Sequence, residues 1–197
     1  MMNKICVFCG SSKGIKSIFS EKAELLADAL AERGIELVYG GSNIGLMKSI
    51  ADRVLERGGR VTGVMPGNLK ERELLHEKMT ETNLAKDMQE RKKIMENLSD
   101  GFISMPGGFG TLDEMFEILS ANQLGLIHKP QGIYNIDNFY DPLIAWLDHA
   151  VDMAFLRPEH RGNIIISDDP DILLDGMMNY QRVEAEDWVD NLKTRGY

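Results

Sequence analysis

The chain is poor in cysteine, proline and aromatic residues, with two Cys, six Pro and 7% Phe, Trp and Tyr among 197 residues. Two cysteines cannot build the disulfide framework of a small secreted domain. Cys6 and Cys9 form a C-x-x-C, but they lie in the apolar run Ile5-Cys6-Val7-Phe8-Cys9. That run reads as a strand, on which residues three apart point to opposite faces, and no second pair completes a zinc site. The four histidines, His76, His128, His149 and His160, share no ligand spacing, so each reads as a surface or packing residue and no metal is expected. Positive charge is also short: 22 Lys and Arg against 31 Asp and Glu leave a net charge of −9. That balance excludes a nucleic-acid coat, whose affinity rests on Lys and Arg neutralising phosphates. It leaves room for a small anionic ligand, because one site is governed by local groups. No apolar run approaches the roughly 18 residues of a membrane helix, and the N-terminus lacks the apolar stretch of a signal peptide. A cytoplasmic location without a membrane partner is expected. A hydrophobic content of 43% excludes a disordered chain.

Strand-like and helix-like segments alternate. Strands are expected at 4–9, 35–39, 60–65, 101–105, 131–136 and 164–167. Helices are expected at 17–33, 44–57, 84–98, 111–125 and 141–154, with a last one opened by Asp169-Pro170. Residues 68–83 read as irregular, with room for a short helix. Short β–α connections predict a Rossmann-like, doubly wound parallel sheet with helices on both faces, in the α/β class. Residues 1–181 read as one such domain. Residues 182–197 read as a charged tail, either a docked helix or partly disordered. In such folds ligands bind beyond the carboxyl ends of the strands.

Glycine is in excess, at 19 of 197 residues. Six of these fall in two loops that follow strands and open helices: Gly40-Gly41-Ser42-Asn43-Ile44-Gly45 and Pro106-Gly107-Gly108-Phe109-Gly110-Thr111. A third loop, Gly10-Ser11-Ser12, follows the first strand. Glycine lets backbone N–H groups approach a ligand closely, and a helix N-terminus favours an anion. A phosphate is therefore expected at Ser11, Gly40, Gly41, Ser42 and Gly45 together with the second loop. No Gly-Lys-Ser/Thr is present, and no G-x-G-x-x-G follows the first strand. A nucleoside monophosphate or sugar phosphate fits better than ATP or NAD, and no cofactor is expected.

One residue is out of place. In segment 84–98 the apolar stripe Leu84, Met88, Met95, Leu98 is interrupted at position 91 by Arg, while Lys92 and Lys93 lie off the stripe and can reach water. Arg91 either snorkels from a helix edge or points into the pocket toward a carboxylate or phosphate. Glu114 is a candidate carboxylate, in the first turn of the helix that the second glycine loop opens. A Glu there is favoured by the helix dipole in any case. Its same-side neighbours Ile118 and Ala121 are apolar, whereas Asp113 and Glu117 read as solvated. Arg91 and Glu114 beside a phosphate cradle form a hydrolytic constellation.

Pro106-Gly107-Gly108-Phe109-Gly110-Thr111-Leu112-Asp113-Glu114 resembles the P-G-G-x-G-T-x-x-E signature of the Lonely Guy (LOG) family, and Met88 to Lys92 resembles its M-x-x-R-K segment. The resemblance runs over roughly residues 4–156 and includes 6–12, 38–47, 123–125 and 134–143. It implies a Rossmann-like homodimer, or higher homo-oligomer, that hydrolyses cytokinin riboside 5′-monophosphates, or AMP, to free base and ribose 5-phosphate. It implies catalytic roles for Arg91 and Glu114. It implies substrate contacts at Glu81, Lys92, Gly107, Gly108, Phe109, Gly110, Thr111, Leu112, Asp113 and Ser120. Ser42 departs from a usual Gly, Phe109 from a usual Tyr and Ser120 from a usual Thr. The lysine decarboxylase label that family members often carry would require a pyridoxal-phosphate lysine, and no Lys stands in an obvious site. A non-enzymatic nucleotide carrier on the same fold is the alternative.

Overall fold

In the computed structural model, which describes residues 2–67 and 75–181, the β–α alternation closes into one seven-stranded parallel sheet. The strands are β1 (Lys4–Phe8), β2 (Glu36–Tyr39), β3 (Val61–Pro66), β4 (Glu81–Ala85), β5 (Gly101–Ser104), β6 (Gln131–Tyr134) and β7 (Ile164–Ser167). Their order across the sheet is β4-β3-β2-β1-β5-β6-β7, so the winding reverses between β1 and β5. That reversal is where an open α/β sheet leaves a crevice above its carboxyl edge.

The described α-helices are α1 (Ile18–Glu32), α2 (Gly45–Glu56), α3 (Met88–Leu98), α4 (Phe109–Gln123), α5 (Asp141–Asp152), α6 (Pro158–Gly162) and α7 (Pro170–Met178). Both faces of the sheet are covered. On one, Ile5 and Val7 pack with Leu26, Leu30, Ile50, Val54 and Leu173 from α1, α2 and α7. On the other, Cys6 and Phe8 pack with Met95 of α3 and Ile118 of α4. A strand buried on both faces reads as a continuous apolar run, as β1 does. Cys6 and Cys9 are buried, free and on opposite faces, as their spacing predicts. Phe8 and Phe102 stack across β1 and β5 with centroids 5.9 Å apart and planes 12° apart. Such a pair contributes about 0.5–1.5 kcal/mol beyond its buried area.

Two expectations are corrected. Residues 81–85 form an edge strand in register with β3, Thr62 opposite Glu81 and Pro66 opposite Ala85, within a stretch expected to be irregular and then helical. Only Ala85 of the five is buried, so β4 carries no alternating apolar signal. The following helix therefore starts at Met88 and not at residue 84. Asp87 stops it there: the residue is extended, with φ −150°, and its carboxylate accepts the Glu90 N–H at 2.8 Å. Glu90 in turn accepts the Lys86 N–H at 2.6 Å. The paired caps satisfy donors that the first turn leaves free. The short helix α6 has no counterpart in the sequence reading. The tail expected at 182–197, and residues 68–74 of the segment expected to be irregular, lie outside the described residues. Among the described residues no helix is long and apolar enough to cross a membrane.

Candidate active site

The carboxyl ends of β1, β2, β3 and β5 open into a cavity of about 440 Å³. Its walls are the three glycine-containing loops, and hydrogen bonds stitch them together. The Gly10 N–H donates to the Pro106 carbonyl at 3.0 Å, and the Gly10 carbonyl accepts the Leu46 N–H at 3.1 Å. Gly10 thus ties the start of α2 to the loop before α4. Gly45, the first residue of α2, has φ +62°, and a Cβ there would run into the Ser11 backbone. Only glycine allows both the left-handed backbone and that close approach. On the far side a strap crosses the loop after β2: the His76 N–H donates to the Gly41 carbonyl at 3.0 Å. The buried His76 ring meets Asp52 at 2.9 Å through Nε2, while its Nδ1 accepts the Lys78 N–H at 3.2 Å. His76 is a packing residue that fixes this wall.

Arg91 does not snorkel. It is 8% exposed and lies at the cavity floor. Its Nε donates to the Val64 carbonyl at 2.9 Å and its Nη1 to Glu114 Oε1 at 2.5 Å. Its Nη2 lies where a Cβ at position 40 would stand, so Gly40 gives the guanidinium its room. The Glu114 side chain is 12% exposed and also faces the cavity. Burial pushes the Glu114 carboxyl above its ordinary value, and Arg91 pulls against that rise. A charged pair this deep is costly unless both ions are held, and here each holds the other.

The cavity brings together most of the residues expected there. Ser11, Gly40, Ser42, Arg91, Gly108, Phe109, Gly110, Thr111, Asp113 and Glu114 all line it. Gly107 lines an adjoining hollow of about 320 Å³ with Ser12 and Lys13. Gly41 turns toward Met65 and Gly63, and Gly45 packs on Ser11, so each shapes a loop without facing the cavity. Leu112 packs among the apolar residues under α5. Ser120 is exposed on α4, outside the cavity. Glu81 stands at the start of β4, the end of the strand remote from the cavity, and accepts a hydrogen bond from Asn83 at 3.2 Å. Lys92 does not reach water freely: its ammonium lies between Asp113, at 3.1 Å, and Glu117.

The sequence reading missed the apolar half of the lining. Ile44, Met47, Met65, Pro66 and Met88 line the cavity together with Arg91 and the glycine loops. Their one signal is position, since each stands at a strand end or at or beside a helix start. Methionine side chains adapt to flat, irregular partners, which suits a heterocyclic base beside a polar phosphate cradle. Among the described residues, no lysine lines the cavity.

A family model described as "Possible lysine decarboxylase" matches residues 47–177. The chain is 44% identical over 164 residues to the cytokinin riboside 5′-monophosphate phosphoribohydrolase LOG of Oryza sativa subsp. japonica, covering 83% of this chain and 67% of that protein. It is also 44% identical over 164 residues to the phosphoribohydrolase LOG3 of Arabidopsis thaliana, covering 83% of this chain and 76% of that one. Among solved structures, the molybdenum cofactor carrier protein of Chlamydomonas reinhardtii aligns with a TM-score of 0.67 at 18% identity, over 91% of this chain and 98% of its own. The molybdenum cofactor binding protein of Rippkaea orientalis aligns with a TM-score of 0.67 at 22% identity, over 89% and 94%. These two likenesses establish the fold. With its P-G-G-x-G-T-x-x-E loop at the cavity wall and relatives at 44% identity, the chain belongs to the Lonely Guy family of cytokinin riboside 5′-monophosphate phosphoribohydrolases.

Proposed function

We propose that this protein hydrolyses the N-glycosidic bond of nucleoside 5′-monophosphates, AMP or its N6-substituted forms, to free base and ribose 5-phosphate. The observation that carries the reading is the buried Arg91–Glu114 pair at the floor of a cavity walled by three post-strand loops. Breaking the bond between C1′ and the base builds positive charge on the ribose ring, as in other glycoside hydrolyses. Glu114 stabilises that charge. One of its oxygens is taken by Arg91, and the other serves the attacking water. The hydroxyl goes to C1′, and the proton taken up by Glu114 ends on the released base. Arg91 fixes the carboxylate and keeps it ionised. Backbone N–H groups at the start of α4 hold the 5′-phosphate, which turns remote binding energy into orientation at the sugar. The family resemblance also supports a homodimer, for which the exposed Phe109, Leu124, Leu126 and Trp146 provide apolar surface.

The test is base release from AMP and from an N6-prenylated AMP. Glu114→Gln, isosteric with the carboxylate, is expected to lower turnover by about 10²–10⁴-fold while nucleotide binding persists. Absence of release from either nucleotide by folded protein would overturn the reading. AMP binding without turnover would support the nucleotide-carrier alternative. Because Glu114 titrates above the usual glutamate range, kcat/KM is expected to fall on acidification at a correspondingly higher pH.

A further inference from the structure

The loop that opens α4 is held from behind. Strand β5 ends at Ser104, and the next residue, Met105, is fully buried. Its N–H keeps one last link to β1, donating to the Phe8 carbonyl at 2.9 Å. Its carbonyl lies past the last paired residue of β5, and the hydroxyl of Tyr140 donates to it at 2.7 Å. A buried carbonyl left without a donor is costly, so this bond fixes where the chain turns into Pro106-Gly107-Gly108. The next carbonyl, that of Pro106, takes the Gly10 N–H. Tyr140 and Gly10 thus hold two successive carbonyls at the root of the glycine loop.

The turn between β6 and α5 places the phenol. Asp137 and Asn138 both have left-handed backbone, with φ +53° and +59°. Residues other than glycine keep that conformation only where neighbours fix them. Here Asn135 accepts the Tyr140 N–H at 2.8 Å and donates to Asp141 at 2.7 Å, and Asp137 pairs with Lys16 of the loop after β1. Phe139 stands edge-on to the Tyr140 ring, with centroids 5.0 Å apart, and to Phe19 of α1 at 6.1 Å. Tyr140 is buried, and burial pushes its phenol above its ordinary value, so the hydroxyl keeps the proton it donates.

In α4 the Leu112 N–H bonds back to the Gly108 carbonyl at 3.1 Å, and no side chain caps Gly108. The N–H groups of Phe109, Gly110 and Thr111 are the donors that this leaves open to a 5′-phosphate. Their direction follows the loop, and the loop follows Met105.

We propose that Tyr140 is a positioning residue for the phosphate end of the substrate: its hydroxyl, through the Met105 carbonyl, sets the aim of the α4 N–H groups. Tyr140 itself lies outside the cavity lining. The proposal deepens the phosphoribohydrolase reading and rests on its phosphate cradle.

The test uses Tyr140→Phe, which removes the hydroxyl and keeps the ring, in a Glu114→Gln background so that no AMP is consumed. AMP, ribose 5-phosphate and adenosine are titrated by calorimetry at a temperature where circular dichroism shows full folding. AMP and ribose 5-phosphate are each expected to bind about tenfold more weakly than to the Glu114→Gln parent. Adenosine, which lacks the phosphate, is expected to change by less than about threefold. With Glu114 intact, Tyr140→Phe is expected to lower kcat/KM for AMP by a similar factor and to leave the pH of its acid limb where it was, because the Arg91–Glu114 pair is untouched. Equal weakening of AMP and adenosine marks a general loosening and overturns the proposal. An affinity for AMP or ribose 5-phosphate within about threefold of the parent overturns it as well. Should Tyr140→Phe fail to fold, Asn135→Ala, which frees the turn carrying the phenol, is read in the same way. A parent that binds neither AMP nor ribose 5-phosphate overturns the cradle reading itself. A parent that binds both, with no change in the variant, overturns only the role of Tyr140.

Discussion

Arg91 is the residue on which the site turns, and its oddness is visible in the sequence as a cation where an apolar side chain belongs. The stripe that exposes it is less regular than it reads: Leu84 belongs to a strand and Met88 is half exposed at the cavity, leaving Met95 as the buried anchor. What the residue binds is decided by three other elements. Val64 ends up beside Arg91 because β3 lies under α3, Glu114 because α4 lies beside it, and Gly40 because β2 ends there. Gly40→Ala tests this packing. The added Cβ would meet Nη2 of Arg91 and Sδ of Met47. Base release is expected to fall by at least about tenfold, since displacing a positioned catalytic group by 1 Å costs up to 10²-fold. Circular dichroism should stay that of wild type. Full activity in Gly40→Ala would show that the guanidinium does not need this place.

At the scale of the element, the longer helices, the buried strands and the edge strand β7 were legible, whereas the edge strand β4 and the short helix α6 were not. Strands β2, β3, β5 and β6 are buried along their whole length, as is β1 beyond Lys4, and they are marked by their apolar residues. Strand β4 has a single neighbour and four residues that are not buried, so nothing in Glu81-Thr82-Asn83-Leu84-Ala85 marks it. This displaces the start of α3 by four residues and places Glu81 at the wrong end of a strand to reach the cavity. The true start is set by the Asp87 cap. Asp87→Ala is expected to cost about 1 kcal/mol in a denaturant titration, the usual worth of such a cap. Because α3 carries Arg91 and Lys92, a larger loss of activity than of stability should accompany it. A variant as stable as wild type would mean that the cap does not set the helix start.

At the scale of the whole molecule, long-range ion pairs join helices distant in sequence. Asp28 of α1 receives both Arg53 of α2 and Arg57, just after that helix, with N–O distances of 2.6 to 2.9 Å. Arg33, just after α1, reaches Asp171 and Asp175 of α7. The two guanidinium groups hold the Asp28 carboxyl well below the usual carboxylate range. Its folded pKa is lowered, so its stabilisation is complete above the unfolded value of about 3.9 and is lost as pH falls below it. Asp28→Asn is expected to lower the melting temperature at pH 7 by a few degrees and to flatten its decline between pH 4 and pH 2. Identical acid curves for the two proteins would show the pair to be energetically silent, as many surface pairs are.

The sequence by itself determined the α/β class, the glycine loops at strand ends and the identity of the candidate pair, because periodicity, loop chemistry and a misplaced charge are local properties. The tertiary structure decided which glycines face the cavity, that Lys92 pairs with Asp113 and Glu117, and that methionines join the lining. Those outcomes depend on the strand order and on the lateral placement of α3 against α4. Both are set by packing between segments far apart in the chain, which no local pattern records.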